Sequence, residues 1–189
     1  YDRLPPGTVR LGPDNHLLFV LGPLSGLLPG ETQFAAITKS PLTGTFLDSY
    51  SGGAFAEALV GALDGALAVA VTGRADRPTV LELDDGEATL SPAGDVWGRD
   101  AVGTCEAFDG AVACVGPAGE NQVKYATIAS DGGDHHAGRG GAGAVMGAKR
   151  LKAVVARGTP PAYSPEISAL RETYERRYRE HDVGRWHAA

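Results

Sequence analysis

No apolar run in the sequence is long enough to cross a bilayer. The longest, Ala66–Val71, falls far short of the roughly 20 residues that a membrane helix needs. The chain begins Tyr1-Asp-Arg-Leu-Pro-Pro6, without the basic segment and apolar stretch of a signal peptide, and a cytoplasmic location is expected. Charge of one sign is also scarce. A net charge of −6 gives no reason to expect a nucleic-acid partner, and neither nucleic acid nor membrane is expected. Only two cysteines occur, Cys105 and Cys114, too few for a structural zinc site. Without a sign of export they read as reduced thiols in the core rather than as a disulfide. A starting methionine is missing and the chain ends Trp186-His-Ala-Ala189, so the sequence reads as a piece of a longer protein.

Glycine is abundant, at 27 of 189 residues, which points to many tight turns and close backbone approaches. Strands are expected at His16–Leu21, Gln33–Thr38, Ala66–Thr72, Thr79–Leu83, Ala111–Val115 and Leu151–Ala156, each bounded by turn residues. Asp84-Asp85-Gly86 marks a hairpin turn. Helices are expected over Ala54–Leu63, Asp100–Phe108 and Gly143–Ala148. Ala66–Arg74 and Leu151–Gly158 resemble each other and hint at an internal duplication. Thr159-Pro160-Pro161 breaks the composition and reads as a linker. Beyond it Ser164 caps a helix with Pro165 at its first position, and Ile167, Leu170, Tyr174 and Tyr178 share one face.

The densest stretch is His135–Val154. Gly138, Gly140 and Gly143 match the G-x-G-x-x-G spacing of a dinucleotide loop, but the context does not fit. The residues before it, Ser130–His136, read as a turn rather than a strand, and no acid falls about 20 positions downstream to hold a ribose. A Walker loop fails because no Gly-Lys-Ser/Thr follows. His135 and His136 are adjacent, so in extended backbone they point to opposite faces and make a poor chelating pair, even with Asp131 and Asp134 nearby. Two readings remain: a glycine turn needed for close packing, or an anion cradle in which bare N–H groups and the Arg139 fork converge on phosphate. Gly116–Asn121 and Ser51–Gly53 offer similar bare backbone, and several such loops on one surface would suit a ligand with more than one phosphate.

The order of the motifs resembles a known family. Gly22-Pro-Leu-Ser-Gly26, Thr38-Lys-Ser-Pro-Leu-Thr-Gly44, Asp48-Ser-Tyr-Ser-Gly-Gly53, Gly116-Pro-Ala-Gly-Glu-Asn121 and the Ala137–Gly147 run with Leu151-Lys-Ala153 appear in sequence. Together they resemble the N-terminal domain of aldehyde:ferredoxin oxidoreductases, over roughly Leu11–Gly158. The resemblance implies an α+β fold: two similar β-sheets form a cofactor-binding base with short helices, followed by a C-terminal helix. It implies residues 1–158 as a pterin-binding domain lacking its opening segment, 159–163 as a linker and 164–189 as the start of a helical domain. The implied cofactors are a tungsten or molybdenum bis-pyranopterin, a magnesium ion bridging the pterin phosphates and, outside this chain, a [4Fe-4S] cluster. The implied reaction oxidises an aldehyde to a carboxylic acid and passes electrons to ferredoxin or another iron-sulfur carrier. Reduction of a carboxylate or an aromatic acyl thioester is a related role.

Carried over residue by residue, the resemblance implies cofactor contacts at Gln33, Tyr50, Ser51, Gly52, Gly53, His135, His136, Ala137, Gly138, Arg139, Gly140 and Gly141, with the Tyr50 and His136 backbone carbonyls on magnesium. Catalytic side chains are not expected in this chain, which alone is expected to be inactive. The remaining domains of the same protein are the expected partners, and a homodimer fits the resemblance. Four positions depart from the family pattern: Gln33 and His135 stand where arginine is usual, Tyr50 where asparagine is, and His136 where alanine is. A non-catalytic reading therefore stands beside the enzymatic one, namely a scaffold subunit poor in cofactor. A nucleotide-binding enzyme is the third.

Overall fold

Residues 4–5, 7–27, 32–158 and 162–187 are described by a computed structural model. The first sheet is antiparallel. It joins β1 (Leu17–Leu21), β2 (Phe34–Lys39), β3 (Phe46–Ser51) and β4 (Ala68–Val71) in the order β3-β2-β1-β4. Side chains alternate across a strand, so β1 turns Leu17, Phe19 and Leu21 inward. Phe19 and Phe34 meet Phe55 there, with ring centroids 5.1–6.2 Å apart.

The second sheet contains β5 (Thr79–Asp84), β6 (Glu87–Pro92), β7 (Ala111–Cys114), β8 (Ile128–Ser130), β9 (His135–Ala137) and β10 (Leu151–Arg157), in the order β6-β5-β10-β7-β8-β9. β5 and β10 run parallel, and the other pairs are antiparallel. β5 turns into β6 through Asp85 and Gly86, both at positive φ (42° and 85°), as a two-residue hairpin requires. β10 is buried from Leu151 to Ala156 because both faces of this sheet are covered.

Two helices fill the space between the sheets. α1 (Ala54–Ala62) packs on β5, β7 and β10 while its Phe55 reaches the first sheet, and α4 (Ala142–Ala148) touches β1, β2, β8 and β10. The opposite face of the second sheet is closed by the 94–96 turn and α2 (Ala101–Cys105) over Val80, Val112, Ala153 and Val155. α3 (Pro117–Glu120) lies against α4. Lys152, in the middle of β10, is fully buried beside it. Its Nζ donates to Arg99 O and Val115 O at 2.7 Å and pairs with Glu120 Oε1 at 2.6 Å.

The expected strands, hairpin and first helix are found. The helix expected over 100–108 is shorter. Asp100 caps it through Gly103 N, but 107 and 108 bond three residues back, tightening the chain out of the helix after Cys105. The segment 128–137 corrects the sequence reading more strongly. It is not a turn throughout but a narrow hairpin, β8 and β9, around the 131–133 turn. β4 and β10, the two look-alike strands, take different places: one edges the first sheet, the other is central in the second.

Past 158, residues Thr159–Pro161 of the expected linker lie outside the described residues. α5 (Pro165–Glu180) starts at Ser164, whose Oγ accepts from Ile167 N, and is followed by α6 (Asp182–His187). It is fastened where it begins. Tyr163 Oη and Arg171 Nη1 both donate to Gly26 O, at 2.6 and 2.7 Å, and the Arg171 guanidinium lies over the Tyr163 ring. Leu170, Tyr174 and Tyr178 on its apolar face are about half exposed.

Candidate functional site

β3 is an edge of the first sheet and β9 an edge of the second, and the two edges meet. This seam brings the 48–53 motif to the 135–141 motif. Ser49 Oγ accepts from Arg139 N at 3.0 Å, and Ser40 Oγ donates to Gly140 O at 2.7 Å. Asp131 Oδ1 accepts from Phe55 N at 3.2 Å, a cap for α1 supplied from outside its own sequence neighbourhood. Gln33 sits beside Gly52, its Cγ 3.9 Å from where a Cβ on that glycine would lie. The predicted residues on Gln33, Tyr50–Gly53 and His135–Gly141 thus share one seam.

Within the seam the side chains differ in commitment. Arg139 is exposed, and its guanidinium has no hydrogen-bond or ion-pair partner among the described residues. Ser51 Oγ is buried without a partner among them, as is Ser130 Oγ. Tyr50 is exposed on the outer face, and its Oη donates to Asp48 Oδ2 at 2.9 Å; that hydrogen bond, together with the carboxylate charge, pushes its pKa above the usual tyrosine value. His136 Nδ1 lies 3.0 Å from Thr127 Oγ1. His135 Nδ1 lies 3.0 Å from Asp131 Oδ2, which is buried and has no other partner among the described residues; a proton on Nδ1 would make this a hydrogen bond.

The glycines separate into open and closed. Gly138 has nothing nearer than 3.8 Å to a would-be Cβ, and Gly52 nothing nearer than 3.5 Å. At Gly53 (φ +85°) a Cβ would fall 1.8 Å from Asp131 Oδ2, and at Gly140 it would meet the Leu47 side chain at 2.5 Å. Three others are closed by the protein's own backbone. A Cβ would stand 1.9 Å from Lys124 O at Gly141, 2.2 Å from Thr127 O at Gly143 and 1.9 Å from Gly119 O at Gly147. The G-x-G-x-x-G spacing is therefore split between roles: Gly138 is open to the surface, while Gly143 lets α4 press on the 124–127 backbone. The strand before it, β9, is an antiparallel edge of three residues and not the parallel strand of a dinucleotide fold.

These features fit a phosphate-bearing cofactor: an open glycine, an uncommitted guanidinium, an orphan hydroxyl and a histidine on one seam. Tyr50 and His136 both lie on edge strands, which leave a row of backbone groups free of the ladder. Among the described residues no three His, Cys, Asp or Glu side chains gather as a metal site, so a metal here would be held by its cofactor and by backbone. Sequence reasoning missed Ser40, Ser49 and Ser130, and raised Asp131 only as a metal ligand. Small polar residues carry no periodic signal; the partners of Asp131, Ser49 and Ser40 lie 76, 90 and 100 positions away, and Ser130 Oγ has none among the described residues.

Comparison with known proteins identifies the family and the fold. The family model described as "Aldehyde ferredoxin oxidoreductase, N-terminal domain" matches residues 1–158. A tungsten-containing aldehyde ferredoxin oxidoreductase of Pyrococcus horikoshii is 42% identical over 164 residues, covering 82% of this chain and 26% of that protein. The WOR-like subunit of an aliphatic sulfonate oxidoreductase from Pyrococcus furiosus is 31% identical over 180 residues, with coverage of 83% and 27%. Among solved structures, the BamBC active-site complex of benzoyl coenzyme A reductase, in complex with 1,5-dienoyl-CoA, superposes with a TM-score of 0.78 at 36% identity. That match covers 84% of this chain and 25% of the other. The chain spans about a quarter of the length of the relatives it matches. Its fold, its motifs and these matches place it in the aldehyde ferredoxin oxidoreductase family, as that family's N-terminal domain.

Proposed function

We propose that this chain is the cofactor-binding base of an oxidoreductase that converts aldehydes to carboxylic acids and passes the electrons to ferredoxin or another iron-sulfur carrier. The observation that supports it most is the seam itself, where Gly138 and Arg139 stand uncommitted beside the 50–53 turn. Residues 1–158 would form the base, 159–163 a linker and 164–189 the start of the next domain. A tungsten or molybdenum bis-pyranopterin, when bound, would supply the two-electron redox change, and the protein supplies position and electrostatics. Arg139 would hold a phosphate by a charge-assisted fork, the open backbone at Gly52 and Gly138 would approach it closely, and Gln33, Ser51 and His135 would donate from the flanks. The Tyr50 and His136 carbonyls would face a magnesium ion. Ligands for a [4Fe-4S] cluster would come from the rest of the protein, which would act in the cytoplasm and could pair as a homodimer.

Tungsten, molybdenum and pterin are measured in the full-length protein after anaerobic growth with each metal. Wild-type protein is expected to carry metal and pterin fluorescence. Arg139→Ala is expected to lose most of both with its urea midpoint unchanged. Equal metal in wild type and variant would sink the assignment of Arg139, and absence of both metals from wild type would sink the enzymatic reading.

A scaffold role without a complete cofactor is the second reading. It draws on Gln33 and His135, which replace the family's arginines and remove fixed positive charge from the seam. Metal-free protein that still binds its neighbouring domains would favour it.

A further inference from the structure

Cys105 ends α2 and Cys114 ends β7, and the core on the outer face of the second sheet contains both. Cys114 Sγ rests 4.0 Å from the Ala101 carbonyl. In an α-helix that carbonyl faces the N–H of the residue four positions on, which here is Cys105. The Cys114 sulfur is therefore seated on the helical turn that carries Cys105. The two thiols lie within hydrogen-bonding reach of each other, and the Cys114 S–H is shared between Cys105 and the Ala101 carbonyl. Neither is in a disulfide; Cys114 is buried and Cys105 is partly exposed.

Their surroundings push the two thiols apart. The Cys114 S–H, and after it the Gly132 N–H, pull Cys105 down to about 7, against opposition from burial and from the Asp131 carboxylate. Cys114 is pushed well up, because it is the donor to Cys105 and because it is buried. A partly exposed thiolate backed by a buried, protonated thiol is the arrangement of an attacking and a resolving cysteine.

We propose that Cys105 and Cys114 are a redox modification site, a dithiol that closes to a disulfide through attack by Cys105, and that closure is felt at the seam through Gly132. The oxidant is a small disulfide. The Cys105 thiolate attacks one of its sulfurs, the S–S bond breaks, and one small thiolate leaves and takes a proton from water. Cys114 then gives its proton to water, and its sulfur attacks the Cys105 sulfur of the mixed disulfide. The second small thiol is displaced. Two protein thiols have lost two electrons, and one small disulfide has become two thiols.

A disulfide sulfur is a far weaker acceptor than a thiolate, so closure takes away the partner of the Gly132 N–H. Gly132 sits next to Asp131 in the 131–133 turn. Asp131 caps α1 through Phe55 N and faces His135, so loosening this turn reaches both walls of the seam. Formation of the disulfide stands independently of the pterin reading.

Full-length protein, purified without oxygen, is equilibrated with reduced and oxidised glutathione at graded ratios, quenched with acid, alkylated and mapped by mass spectrometry. The expected product is a Cys105–Cys114 linked peptide pair that grows with the oxidised share and disappears with dithiothreitol. In Cys114→Ser the expected product is a mixed disulfide held on Cys105, and in Cys105→Ser Cys114 stays unmodified until the protein is denatured. Cys114→Ala is made alongside in case a hydroxyl in that apolar core prevents folding. No linked pair at any ratio, or a persistent mixed disulfide on Cys105 in the wild type, overturns the site. Amide exchange at Gly132 and Phe55 is expected to quicken on the order of tenfold on oxidation. Unchanged exchange overturns the link to the seam. Both readouts are taken on metal-loaded and metal-free protein, so their failure is distinct from failure of the cofactor reading.

Discussion

Gly138 and Gly147 belong to one glycine-rich run, yet a methyl group would meet opposite surroundings at the two positions. At Gly138 it would make only ordinary van der Waals contact, with Thr127 and His136 at 3.8–3.9 Å, beside an uncommitted arginine; at Gly147 it would enter the Gly119 carbonyl at 1.9 Å. The first half of the run leaves backbone bare toward the outside of the protein. The second half leaves it bare toward the protein itself, so that α4 can press on α3 and the 124–127 segment. Glycine spacing alone carries both meanings. What separates them is the atom on the other side, and for the second half that atom is 16 to 28 residues distant in sequence.

The packed half can be broken without touching a glycine. Lys152→Met leaves the Glu120 carboxylate buried beside α3 without its cation, and is expected to cost about 4 kcal/mol in urea unfolding. Adding Glu120→Gln should restore much of this, because the stranded charge is removed. Gly147→Ala tests the helix contact directly. Backbone must shift, and a loss of about 3 kcal/mol is expected by the same measurement.

A subtler probe sits at the end of α4. Lys149 is almost fully buried, donates to Pro13 O and Gly73 O, and is held down to about 8 by burial, with Asp14 opposing. An unfolded lysine titrates near 10.4, so between those values the unfolded chain carries more protons than the folded one. Stability is therefore expected to rise between about pH 8 and pH 10.4, by on the order of 1 kcal/mol from this group. Lys149→Met should flatten that rise. The smallest effect on stability belongs to the open half. Gly138→Ala is expected to change the urea midpoint by less than about 0.5 kcal/mol while lowering cofactor content in the full-length protein. If Gly138→Ala unfolds the protein as Gly147→Ala does, the contrast between the two halves is lost.

Elements that announce themselves through apolar alternation or a cap were legible in the sequence. β1, β2 and β10 are read from their hydrophobic residues, the Asp85-Gly86 hairpin from its turn residues, and α5 from Ser164-Pro165. β3 was read only as a motif, because its inward face is Leu47, Ser49 and Ser51 and two of these three are polar. β8 and β9 have three residues each, too few to show a period, and α3 is a four-residue turn of helix. The site was legible as a set of motifs in order. Its closure was not, because the Asp131 cap on α1 and the Ser49 contact to Arg139 are made between residues whose types predict no partner.

The seam between β3 and β9 also carries a schedule. Its contacts span 76 residues from Phe55 to Asp131, 90 from Ser49 to Arg139 and 100 from Ser40 to Gly140. On a growing chain the first wall leaves the ribosome long before the second has been made. The first sheet and α1 must wait, with the α1 N-terminus lacking its aspartate, until the 128–141 hairpin and loop arrive. Any ligand that needs both walls can therefore be taken up only late, after nearly all of this domain has been synthesised, and loading is ordered in time by the distance between two motifs along the chain.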